Sequence, residues 1–92
     1  MILGFQHKGL RRFYLDDDKS GIQPAHAARL RLILSWLNVA VAPQDMGLPG
    51  LRLYRLKGNR ADVWSVWVSG NWRITFAFDG EHVVGVDYED YH

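Results

Sequence analysis

Near residue 50 the spacing of apolar side chains changes from a helical period to a period of two, which in a chain of 92 residues restricts the fold to helices followed by a sheet. Before that point Leu30, Ile33, Leu34, Leu37 and Val41 recur at i, i+3, i+4, i+7 and i+11, leaving Arg29, Arg31, Ser35 and Asn38 off the stripe. This predicts a helix opened by Pro24, whose missing N–H is not needed in a first turn, and closed by Pro43, Gly47, Pro49 and Gly50. A shorter helix is expected where Leu10, Phe13 and Tyr14 repeat, ending in the polar tract Asp16 to Gly21; Ile2 to Phe5 suits an opening strand. After residue 50, Leu51, Leu53 and Arg55 alternate with Arg52 and Tyr54, Trp64, Val66 and Val68 share a face, and so do Trp72, Ile74, Phe76 and Phe78. A three-residue loop, Ser69-Gly70-Asn71, would place Val68 opposite Trp72, Val66 opposite Ile74 and Trp64 opposite Phe76. Asp79-Gly80 signals a type I′ hairpin into Val83 to Val86. The expected fold is α+β, a single domain over residues 1–92, with two helices in the first half packed on one face of a mainly antiparallel sheet.

Twelve aromatic residues, four each of Trp, Tyr and Phe, allow a core without staples. There is no cysteine, which excludes a disulfide scaffold and a thiol nucleophile and fits a reducing cytoplasm. The apolar run at the start is too short for a signal peptide and no window approaches a membrane span, so a cytoplasmic protein without membrane contact is expected. Residues 1–60 carry ten Lys or Arg against four acids, and residues 61–92 one Arg against six. A balance of +6 against −5 suits a nucleic-acid-facing surface in the first part, unless the charges interleave in space.

If Trp72, Ile74 and Phe76 turn inward, Arg73 and Thr75 point to the other face of the sheet, with Trp67 beside them. An arginine next to an aromatic ring on such a face can bind phosphate and stack on a base. Arg73 also has a structural reading, as the cross-strand partner of an acid such as Asp87. His7 and His82 read as surface residues, and Lys8, Arg11, Arg12, Arg29 and Arg31 as solvated helix faces or contacts to RNA backbone. No glycine-rich phosphate loop, metal-spaced histidine pair or Gly-x-Ser-x-Gly elbow occurs. The remaining candidates are Lys57, Arg60, Arg73 and the run Asp87-Tyr88-Glu89-Asp90-Tyr91-His92. Cleavage of RNA through its own 2′-hydroxyl needs a proton acceptor, cations for the phosphorane and an acid for the leaving 5′-oxygen, all within reach of such residues without a cofactor or metal.

Phe5-Gln6-His7-Lys8-Gly9-Leu10, Leu56-Lys57-Gly58-Asn59-Arg60, Trp64-Ser65, Asn71-Trp72-Arg73-Ile74-Thr75-Phe76 and Asp87-Tyr88-Glu89-Asp90-Tyr91-His92 occur in that order. Together they resemble the HigB toxins of the RelE superfamily over nearly the whole chain. The resemblance implies a ribosome-dependent mRNA endonuclease, neutralised by a HigA-like helix-turn-helix antitoxin whose complex with the toxin represses their operon. It implies a catalytic site of Lys57, Arg73, Asp90, Tyr91 and His92; Arg60, Trp67, Arg52 and Arg55 stand beside it as RNA-binding candidates read from the residues themselves. Two departures bear on rate and codon preference: Ser69 replaces a frequent basic residue, and Tyr54 a frequent histidine upstream of Leu-Lys-Gly. Arg52 or Arg55 would compensate if they reach the site. A relative disabled by these changes would instead block translation or pair with a regulator without cutting.

Overall fold

His7 opens the first helix. Its Nδ1 accepts the Leu10 N–H at 2.9 Å, satisfying one of the free donors of α1 (Lys8–Asp16), so this histidine is a cap and not merely a surface residue. Asp17 ends the helix in the left-handed region, at φ 56°, where its N–H donates to the Phe13 carbonyl. The structure, a computed structural model, describes residues 1–91. A 3-10 turn, Pro24–His26, leads into α2 (Ala27–Val39), whose Leu30, Ile33, Leu34 and Leu37 are at most 1% exposed. Val41, expected on the same stripe, lies beyond the helix end and is exposed, because Ala40 turns the backbone to extended geometry. Gly9 and Gly21 meet where α1 crosses the loop before α2: a Cβ on Gly9 would stand 2.6 Å from the Gly21 carbonyl oxygen.

The sheet runs β1 (Tyr54–Arg55), β2 (Trp64–Ser69), β3 (Trp72–Asp79), β4 (His82–Asp90), each antiparallel to the next. Ile2 and Phe5 bridge in parallel to Val83 and Val86 on the far side of β4, so the expected opening strand is a bridging segment. The strand expected from Leu51 shrinks to two residues because Arg52 adopts φ 51°, which breaks the extended run. Leu51 still packs in the core, its carbonyl accepting the Trp67 N–H at 2.7 Å.

Trp64 faces Phe76 and Val66 faces Ile74, as the apolar pattern predicts. The third pair differs: Ser69, not Val68, faces Trp72, since the register shifts between Trp67 and Ser69 and the loop contracts to Gly70-Asn71. The β3–β4 turn centres on Gly80-Glu81, with Asp79 facing His82 and positive φ at Gly80 alone, so it is not type I′. A second shift, between Thr75 and Ala77, falls at Gly85 of β4, where φ is 62°. Two residues there oppose one, and the alternation of β4 is re-phased: Val83, Val86 and Tyr88 face the helices, while Asp87 and Glu89 face away. Val66, Val68, Ile74, Phe76, Val83 and Val86 meet Leu10, Phe13 and the α2 stripe in one core, which establishes the α+β arrangement.

Candidate active site

Strand alternation assigns Ser65, Trp67, Arg73, Thr75, Asp87 and Glu89 to the face away from the helices. The chain between Leu51 and Val63 overlies part of this face, and Ser65 and Thr75 are buried beneath it. A cavity of about 400 Å³ opens here, within the range of small-ligand sites. Leu53, Leu56 and Tyr54 form its apolar wall, and Arg52, Arg73 and Tyr91 supply its polar groups above Ser65.

Arg73 is half-buried, and its guanidinium makes no hydrogen bond or ion pair with another described residue. Its cross-strand neighbour is Glu89, not Asp87, which faces Thr75; the bulge at Gly85 moves the acids along. Glu89 is engaged elsewhere. Arg60 donates to its Oε2 at 2.9 Å and its Oε1 at 3.4 Å, and the Thr75 hydroxyl donates to Oε2. Burial alone would raise the Glu89 pKa, but hydrogen bonds from Arg60 and Thr75 and the Arg60 charge outweigh it and hold the carboxyl below its ordinary range. The Glu89 hydrogen bond in turn raises the Arg60 pKa.

The expected residues therefore separate into groups. Arg52, Arg73 and Tyr91 converge on the cavity, and Arg60 lies next to Tyr91, whose hydroxyl accepts from it at a long 3.5 Å. Trp67 lies under Arg52, whose guanidinium carbon is 4.4 Å from the ring centroid, with Arg29 at 5.1 Å. Arg29 also donates to the Gly50 carbonyl at 2.8 Å, tying α2 to the loop that carries Arg52. Arg55 does not line the cavity; its Nε donates to the Ala61 carbonyl at 2.6 Å. Lys57 is exposed at the start of a 3-10 turn, Gly58–Arg60, outside the cavity wall. Asp90 is exposed at the end of β4, and His92 lies outside the described residues.

The sequence placed Glu89 in the candidate terminal run and Thr75 on the outward face, but not the bonds that tie Glu89 to Thr75 and to Arg60, which lies far away along the chain. Nor did it show the packing behind the site, where Tyr88 stacks on Trp72 with centroids 4.4 Å apart and its oxygen is 2.6 Å from His26 Nδ1. The Gln23 N–H donates to the same oxygen at a long 3.4 Å. Burial lowers the His26 pKa and raises that of Tyr88. The alternating order Trp72-Arg73 and Tyr88-Glu89 thus fixes the outward charges by packing their neighbours inward.

Helices on one face of an antiparallel sheet, with a cationic cavity on the other, define the architecture of the RelE-like toxins. The family model for RelE-like toxins of type II toxin-antitoxin systems, HigB, matches residues 3–92, and the chain belongs to this family. It is 35% identical to Endoribonuclease HigB of Proteus vulgaris over 92 residues, covering the whole of both chains. Membership in a type II system implies an antitoxin partner. No helix among the described residues is long and apolar enough to cross a membrane.

Proposed function

We propose that this toxin is an endoribonuclease that cuts messenger RNA held in the ribosome, with the 2′-hydroxyl of the message as nucleophile. One observation carries the reading: Arg73 projects beside Tyr91 into the cavity with its charge unneutralised among the described residues. An arginine does not lose its proton at any relevant pH, so its role is to stabilise negative charge developing on the phosphorane. Lys57, exposed on the neighbouring turn, supplies a second cation. Tyr91 and His92 move the protons, an imidazole being suited to either direction because it ordinarily titrates near pH 6.5, roughly the working range. Asp90 orients them. Arg52, its guanidinium backed by the Trp67 ring, holds the RNA by phosphate pairing or base stacking.

Nothing in this group of side chains selects one naked RNA over another, so specificity falls to the ribosome. The antitoxin is a HigA-like helix-turn-helix protein, operator DNA is contacted only through the toxin-antitoxin complex, and the site of action is the cytoplasm. The test is primer extension on programmed ribosomes and on the same message stripped of them. Defined 5′ ends within codons are expected only with ribosomes. Equal cutting of bare RNA would refute ribosome dependence, and ribosome binding without cutting would establish the non-cleaving alternative.

A further inference from the structure

The outward face carries an imbalance that the assigned roles do not explain. Arg73 and Glu89 are direct cross-strand partners, the geometry in which opposite charges ordinarily pair. They do not pair here. Both Glu89 oxygens are occupied from other directions, by the Arg60 fork and the Thr75 hydroxyl. Arg60 comes from a turn 29 residues away in sequence and crosses to β4 to make this bond.

We propose that Arg60 is a positioning residue whose function is to sequester the Glu89 carboxylate, leaving Arg73 unpaired for the scissile phosphate. The inference rests on the reading of Arg73 given above. An Arg60 that touched RNA directly would act by its own charge; a sequestering Arg60 acts by what it withholds from Arg73. Several observations favour the second. The Arg60 guanidinium is already bidentate to a carboxylate, its pKa is raised by that bond, and it is absent from the cavity wall. Thr75, almost fully buried, holds the carboxylate from one side and Arg60 from the other. Directly across the strand pair from Glu89 stands Arg73.

This reading makes a prediction opposite to that of direct RNA contact. Arg60→Ala should lower the single-turnover cleavage rate on programmed ribosomes about tenfold, with ribosome affinity little changed, because a neutralised Arg73 stabilises the transition state less. Adding Glu89→Gln to Arg60→Ala should restore the rate to within about threefold of wild type, since no carboxylate remains to capture Arg73. A double variant no faster than the single one overturns the proposal, as does a single variant that cuts at the wild-type rate. If melting curves show Arg60→Ala to be unfolded, Arg60→Lys takes its place, with a partial loss that Glu89→Gln again reverses. A readout independent of activity is the NMR signal of the Arg73 Nε–H, which should shift in the Arg60 variant and return in the double variant; an unmoved signal counts against sequestration. An active Arg73→Ala would instead sink the reading of Arg73 itself, so the two failures are distinguishable.

Discussion

The two faces of one sheet use neighbouring residues for opposite purposes. Toward the helices, Val66, Ile74, Phe76, Val83 and Val86 are fully buried among apolar partners. On the other side Trp67, Arg73, Asp87 and Glu89 alternate with them: Trp67 carries the Arg52 guanidinium, Arg60 and Thr75 hold Glu89, and Asp87 accepts the Tyr88 N–H. Because the alternation is strict between the bulges, the face that holds the fold together relieves the other of that task, and an arginine there can remain unpaired at little cost to stability. A sheet divided in this way accommodates an arginine whose charge is unneutralised among the described residues.

Substitutions on the two faces should separate cleanly. The largest effect belongs to the inner face: Phe76→Ala should destabilise by about 3 to 5 kcal/mol, read by denaturant unfolding, and abolish toxicity through loss of the fold. A cost below about 1 kcal/mol would mean the core lies elsewhere. Next comes the outer face, where Arg73→Ala should lower the single-turnover rate by about 10² to 10³ and leave the melting temperature within a few degrees of wild type. Arg73→Lys should recover part of that rate, a point charge replacing a fork. Should Arg73→Ala melt as early as Phe76→Ala, the faces do not divide their labour.

Smaller effects sharpen the boundary. Gly9→Ala should cost about 1 to 3 kcal/mol, because the new methyl meets the Gly21 backbone, which has no side chain to move aside. Once corrected for the fraction folded, cleavage by this variant should equal wild type. The smallest effect is in pH. His26 has its folded pKa lowered by burial, so the unfolded chain takes up a proton before the folded one does. Stability contributed by the neutral imidazole is therefore complete above the ordinary histidine value of about 6.5 and is lost as pH falls below it. Melting temperatures measured between pH 7.5 and 5 should decline in the wild type and decline less in His26→Gln; parallel declines would acquit His26.

Element types and most of the β2–β3 register were legible because an apolar face specifies its own pairing: sliding Val66 from Ile74 by one residue would expose every large side chain on the strand. The bulges were not legible from alternation, although Gly85 within a strand pattern was an available sign. That omission led to Asp87 being named opposite Arg73 in place of Glu89. The family resemblance put Arg73 and Tyr91 in one site and Arg52 there only if it reached it, whereas no local pattern links Arg60 to Glu89 or predicts that His7 caps a helix and packs edge-on against Tyr88. Arg55 was expected to compensate only if it reached the site; it does not line the cavity, and its Nε donates to the Ala61 carbonyl.

The bridging of Ile2 and Phe5 to β4 joins segments about 80 residues apart, the most expensive kind of closure for a chain still searching for its fold. The β2–β3 hairpin closes through a two-residue turn and can form early, while the opening segment must wait for β4 to arrive. The same strand presents Glu89 and leads into Tyr91. We therefore expect Val83→Ala to speed unfolding and leave the refolding rate nearly unchanged in stopped-flow measurements, with a slowed refolding rate excluding late docking. On this order of events the parts of the site that depend on β4, Glu89 and the approach to Tyr91, are the last to be put in place.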